Sequence, residues 1–151
     1  MITVKQENLN KETNKRLIEL SQIWVDEDSC FGMVTNTDED LREPLVLARD
    51  NGVIIGYAFG HFYVTEKRTS YIHVGAKCFM VDELFVLKEY RNQGIGKKLF
   101  DLLESIVVND CEYLTLATSN KDYLKVLNFY QNKVNMTFHD AFLIKNEKDG
   151  K

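Results

Sequence analysis

The chain has 151 residues and a mass of 17.6 kDa, a size that predicts one domain with a single sizeable core. Hydrophobic residues make up 44% and charged residues 28%, which excludes disorder as a description of the whole chain. A net charge of −4 argues against nucleic-acid binding, and no apolar run reaches the length of a membrane span or forms a signal-peptide core. The expectation is a soluble cytoplasmic protein, with one domain over 1–151 and a frayed tail at 146–151. Cys30, Cys78 and Cys111 have no metal-ligand spacing, and His61, His73 and His139 fit no zinc pattern, so no metal is expected.

In chain order, residues 2–5 suit a short strand. Asn8 or Asn10 then suits the cap of a helix in which Leu17, Leu20 and Trp24 recur at helical spacing. The acidic stretch from Asp26 to Arg42 reads as a loop with a short helix. It is mostly solvated, or else it attracts a cationic ligand. Two β-rich runs follow, broken by Asn51-Gly52, a strong hairpin signal. Thr65 to Gly75 is a polar excursion. Cys78 to Leu87 reads as a strand, Lys88 to Gln93 as a turn, and Ile95, Leu99, Leu102, Leu103 and Ile106 as one face of a helix. The segment YLTLATS is a further strand. Tyr123, Val126, Leu127 and Tyr130 mark another helix, and Thr137 to Lys145 has the look of closing β structure. Together these elements predict an α+β domain around one mixed sheet.

The turn before the second long helix carries the most information. Gly94 and Gly96 each cost a helix roughly 1 kcal/mol relative to alanine, so their presence points to a close approach by something to the backbone. A helix N-terminus offers unpaired N–H groups to a phosphate, and Arg91, Lys97 and Lys98 add positive charge. Two lysines in a first turn run against the helix dipole, a conflict that a bound phosphate would resolve. Alone, an Arg/Gln-x-x-Gly-x-Gly pattern arises by chance in about a few per cent of chains of this length. The flanking strand and amphipathic helix raise its weight.

With those elements around it, DELFVLKEYRNQGIGKKLFDLLE resembles the central motif of the GCN5-related N-acetyltransferases. Phe129-Tyr130 is similar to the aromatic-Tyr pair near the end of that family's following helix, and LATSN to the segment before it. The resemblance covers residues 45–145 by element order and is strongest over 82–104. It implies a mostly antiparallel central sheet flanked by helices, with two central strands splayed apart. It also implies transfer of an acetyl group from acetyl-coenzyme A to a primary amine. The acceptor would be a small cationic molecule of aminoglycoside or polyamine type. The alternatives are a protein N-terminus or lysine as acceptor, or a non-catalytic acyl-coenzyme A-binding domain. A homodimer is common in the family.

The resemblance further implies that the pantetheine arm runs along Phe85, Val86 and Leu87. The pyrophosphate would meet Arg91, Asn92, Gln93, Gly94, Ile95, Gly96, Lys97 and Lys98. Asn120 and Asn128 are candidates for the pantetheine amides, with turn or surface roles as the alternative. An ammonium must lose a proton before it attacks, and Glu83 and Asp82 are the candidate bases, a solvated pair being the third reading. Adjacent on a strand, they should project to opposite faces. Asp82, Trp24, Phe31 and Tyr63 are expected near the acceptor. Tyr130 matches the general acid for the departing thiolate, its alternative being helix packing. Two departures stand out. No glycine follows in YQNKVNMTF, and Asn120 lies farther from Tyr130 than is usual, so the last helix should be extended or displaced.

Overall fold

In the computed structural model, which describes residues 1–148, five strands form one sheet in the order β1-β2-β3-β4-β5. They are β1 (Ile2–Glu7), β2 (Leu45–Asp50), β3 (Val53–Val64), β4 (Lys77–Val86) and β5 (Tyr113–Thr115). The first four pair antiparallel, and β5 joins β4 in parallel. The sheet is therefore mixed and mostly antiparallel. Three helices flank it: α1 (Lys11–Asp26), α2 (Ile95–Val107) and α3 (Tyr123–Asn128).

Local chemistry accounts for most of the boundaries. The Asn10 side chain accepts from the Thr13 N–H at 2.9 Å and so caps α1. Asn51 and Gly52 both hold positive φ, as a two-residue hairpin turn requires, and join β2 to β3. Within 26–42 the one helical piece is a single turn at Asp38–Asp40, closed by a capping box between Thr37 and Asp40.

The two faces of the sheet bury separate cores. On one, α1 places Leu17 and Leu20 against Leu45, Leu47, Tyr57, Phe59 and Phe85. On the other, α2 places Ile95, Leu99, Phe100, Leu103 and Val107 against Ala48, Ala58, Phe79, Val81 and Val86. Leu102 and Ile106, expected on the same helical face, lie at its flank and are only partly buried. The true seam follows the i, i+4 row through Leu99, Leu103 and Val107, with Phe100 beside it.

Two expectations fail at the far edge of the sheet. Strand β5 comprises three residues, not the whole of YLTLATS. Residues 137–145 form no strand, and Phe142, Leu143 and Ile144 stay 92%, 88% and 82% exposed. So short an edge leaves a closing strand too few backbone partners to form a ladder. Of the tail, Asn146–Lys148 is exposed and irregular, and 149–151 lies outside the described residues. No helix of the described residues is long and apolar enough to cross a membrane.

Candidate active site

A bulge in β4 organises the acidic side of the site. Phe59 pairs with Glu83 and Gly60 with Val81, so Asp82 has no partner in the ladder. The inserted residue inverts the alternation. Phe79 and Val81 face the α2 core before it, whereas Phe85 faces the α1 core after it. Gly60 is what admits the bulge, because a Cβ there would lie 2.0 Å from the Met80 carbonyl oxygen. The expectation that Asp82 and Glu83 project to opposite faces is thereby overturned. Glu83 accepts from Tyr57 and Asp82 pairs with His61, two residues of β3 that lie on the α1 side of the sheet.

The two carboxylates nevertheless sit in different surroundings. Tyr57 Oη donates to Glu83 Oε1 at 2.8 Å, and Asn36 Nδ2 donates to both carboxylate oxygens at 2.9 Å. Burial raises the Glu83 pKa, the Asn36 and Tyr57 hydrogen bonds oppose the rise, and the charges of Asp82 and Asp40 add to it. Tyr57 is fully buried, and its phenol is held far above its ordinary pKa by burial and by the adjacent carboxylate. Asp82 is more open and lies 2.8 Å from His61 Nδ1. Tyr63 spans β4 from the same side, its hydroxyl 2.8 Å from Thr115 Oγ1. Trp24 stacks on Phe85 with ring centroids 5.1 Å apart. Phe31 lies 68% exposed, with the Lys121 ammonium over its ring.

Beyond the bulge β4 loses its outer neighbour. It pairs with β5 only from Cys78 to Met80, so from Val81 onward its outer edge carries no strand among the described residues. That open edge runs through Phe85, Val86 and Leu87 to the turn before α2. The Leu87 N–H is committed to Ile55 of β3 at 2.9 Å.

Gly94 adopts φ 81° at the N-cap of α2 and supplies no capping side chain. Among the described residues, the N–H groups of Gly94, Ile95, Gly96 and Lys97 have no acceptor. A Cβ at Gly94 would meet nothing within 4 Å, and one at Gly96 would touch the Phe129 ring at 3.6 Å. A row of free N–H groups with open space before it suits a pyrophosphate.

The cations of the motif divide their work. Arg91 turns inward: it holds Glu27, at the C-terminal end of α1, through two bonds of 2.7 and 2.9 Å, donates to the Val86 carbonyl at 2.8 Å and lies over Phe85. Lys97 pairs with Asp101 one turn on. Lys98 has no ion-pair partner among the described residues, and Asn92 and Gln93 are exposed. The acidic cluster is also largely committed, with Glu27 on Arg91, Asp28 on Lys121 and Asp40 on Thr37.

Asn120 forms an isolated bridge with Cys30, and its side-chain oxygen accepts from the Asp122 N–H at 2.8 Å, as in a turn before α3. Asn128 accepts from Asn132. Helix α3 does not stop after Asn128 but widens into a π-helical turn over Phe129–Lys133. Asn135 then adopts φ 60°, and the Met136 N–H reaches back to the Tyr130 carbonyl. The helical path thus continues beyond Asn128, and an asparagine follows it in a left-handed conformation. Tyr130 packs on Phe100 and Phe129, and its hydroxyl has no hydrogen-bond partner among the described residues. Burial, aided by the Cys30 thiol, pushes its pKa up to about 12.

Asn36, Tyr57 and His61 were not readable as parts of one site, since only the folded sheet and loop bring them to the carboxylates. The one signal available was Gly60, isolated within a β-rich run, where a glycine marks a bulge or a close backbone approach. Among the described residues, no group of three His, Cys, Asp or Glu side chains is placed to hold a metal ion.

Comparison with solved structures finds this architecture repeatedly. One neighbour is the aminoglycoside N-acetyltransferase AAC(6')-Iy bound to the bisubstrate analogue CoA-S-monomethyl-acetylneamine. Its TM-score is 0.65 at 17% identity, covering 97% of this chain and 99% of that one. A Trypanosoma brucei acetyltransferase aligns with a TM-score of 0.66 at 19% identity, again over 97% and 99%. Glucosamine-6-phosphate N-acetyltransferase from Arabidopsis thaliana gives 0.64 at 17%, over 97% and 99%. No curated protein sequence matches the chain. These likenesses establish the fold. A family model, that of the acetyltransferase (GNAT) family, matches residues 12–135, and with the strand–turn–helix geometry described above it shows that the chain belongs to this family of acetyl-coenzyme A-dependent N-acetyltransferases.

Proposed function

We propose that the protein transfers the acetyl group of acetyl-coenzyme A to a primary amine of a small cationic acceptor. The observation that carries this reading is the open outer edge of β4, which leads from a partly buried carboxylate to a row of unpaired N–H groups. The pyrophosphate is assigned to the N–H groups of Gly94 to Lys97, with Lys98 as the available cation. Gly94 supplies the left-handed backbone that aims them. The pantetheine arm is assigned to the exposed edge at Phe85 to Leu87. Arg91 acts by fixing the turn to α1, since its guanidinium is already held by Glu27.

On the acceptor side, an ammonium gives its proton to Glu83, which burial makes a better proton acceptor than an ordinary carboxylate. The freed amine nitrogen bonds to the thioester carbonyl carbon, the carbon–sulfur bond breaks, and the thiolate takes a proton from Tyr130 Oη; the second proton that the nitrogen sheds on becoming an amide passes to solvent, from which Tyr130 regains its own. Tyr130 stays protonated across the neutral range, as a donor must. Asp82, Tyr63 and Trp24 are assigned to the acceptor, and Asp82 with its solvent access favours a cation. AAC(6')-Iy and the Arabidopsis thaliana enzyme are named for amino-sugar acceptors, which supports a small-molecule amine. The free thiols of Cys30, Cys78 and Cys111 suit a reducing cytoplasm.

The test is calorimetric titration with acetyl-coenzyme A, then thiol-release assays over aminoglycosides, polyamines and basic peptides. Micromolar binding and turnover with a small polyamine or aminoglycoside are expected. Turnover confined to peptides would move the acceptor to proteins. Binding without any turnover would leave a non-catalytic acyl-coenzyme A domain.

A further inference from the structure

Glu83 is gripped from two sides of very different rigidity. Tyr57 belongs to a central strand and is fully buried, so its hydroxyl is a fixed donor to Oε1. Asn36 lies in the irregular segment between α1 and β2, and its amide is the only donor to Oε2 among the described residues. That segment is docked by side chains of α1. The Asn36 N–H donates to Ser21 Oγ at 3.0 Å, and the Ser21 hydroxyl, itself fully buried, donates to the Ile18 carbonyl at 2.8 Å. Next to it Thr35 Oγ1 donates to the Gln22 side chain. A loop without regular structure thus delivers one amide to a carboxylate of β4.

The groups facing Glu83 make that amide consequential. Tyr57 of β3 faces it as a neutral donor. Asp82 of β4, paired with His61 of β3, and Asp40 of the turn after Asn36 face it as anions. Two anions and burial all disfavour its ionised form, and only Tyr57 and Asn36 oppose them.

We propose that Asn36 is a positioning residue for Glu83: its amide, delivered by the loop, orients the carboxylate and sustains it as an anion ready for the acceptor's proton. The inference rests on the reading of Glu83 as the base. It ties the acceptor-side loop to the chemistry, because a displacement of residues 35–37 would release Oε2 and leave Tyr57 as the only donor.

The experiment is a carbon-13 NMR titration of the Glu83 carboxyl in the full chain, with Glu83→Gln to identify the resonance. It is run for the wild type, Asn36→Ala and Asn36→Asp. Acetyl transfer to kanamycin and to spermidine is followed over the same pH range. In Asn36→Ala the Glu83 midpoint should rise. Transfer should fall about tenfold or more at neutral pH, the worth of one hydrogen bond to a charged group, and recover as the pH is raised. Asn36→Asp, nearly identical in shape, should move the midpoint further by adding a third anion, and it keeps the test valid should the alanine variant fold poorly. An unmoved midpoint in both variants overturns the proposal, as does a raised midpoint with unchanged pH dependence of transfer. Full transfer by Glu83→Gln would remove Glu83 as base while leaving the Asn36–Glu83 coupling measurable. If neither amine is acetylated, the titration alone decides whether Asn36 controls the carboxylate.

Discussion

The turn at Lys88–Gly96 and the acidic side of the site around Glu83 are built in opposite ways. In the turn, the groups assigned to the pyrophosphate are consecutive, from Gly94 to Lys98, and most are backbone N–H groups. On the acidic side, Trp24, Asn36, Tyr57, His61, Tyr63, Asp82 and Glu83 come from a helix, a loop and two strands. The first arrangement needs a local conformation, set by a glycine at φ 81°. The second needs the sheet, the bulge and the loop all in place before its members from different elements come together. Binding a constant chemical group can be written into one short segment, whereas a pocket for a particular acceptor is assembled from distant ones.

Substitutions in the two regions should therefore fail differently. The largest effect is expected for Glu83→Gln, which should lower kcat about a hundredfold or more at neutral pH and leave acetyl-coenzyme A affinity unchanged by calorimetry. A parallel loss of affinity would mean that the acidic side and the turn are not separable. Gly94→Val should do the reverse, weakening acetyl-coenzyme A binding about tenfold or more. A branched residue is strained at positive φ, yet with nothing within 4 Å of its Cβ it can keep the fold. Unimpaired binding would detach the turn from the phosphate.

Tyr130→Phe tests the proposed proton donor to the departing thiolate. We expect kcat about tenfold lower with unchanged binding and no loss of thermal stability, since the hydroxyl makes no hydrogen bond among the described residues. A fall in Tm with normal turnover would reduce Tyr130 to helix packing. Arg91→Ala should have the smallest effect on chemistry. Loss of its partly exposed pair with Glu27 should cost about 1 kcal/mol, seen as a Tm lower by roughly 2–4 °C.

Stability also carries a pH signature of the acidic side. Glu83 has a folded pKa raised above its unfolded one, so its contribution is most favourable below the unfolded value and declines as pH rises through the folded value. Glu83→Gln should therefore raise Tm at neutral pH, by an increment that vanishes in acid. A Tm lowered by Glu83→Gln at neutral pH, by an amount that vanished in acid, would mean that the carboxylate is stabilised by the fold as an anion.

The elements with strong local signals follow from the amino-acid sequence alone. The Asn10 cap, the Asn51-Gly52 hairpin and the strand–glycine–helix junction each depend on residues a few positions apart, whose backbone preferences act without the rest of the chain. The tertiary structure alone decided that Asp82 and Glu83 share one side of the sheet, because the bulge arises between two strands and inverts a rule of alternation that holds along one. It alone brought Asn36 and Tyr57 to Glu83 and turned Arg91 away from the helix N-terminus toward Glu27. At the far edge it left 137–145 without the strand its β-forming residues suggest, since a strand exists only where a partner offers enough free backbone. Local conformational preference can be read from neighbours in sequence. Side chains that meet across strands and loops depend on register, and register is settled only when the sheet and its cores form together.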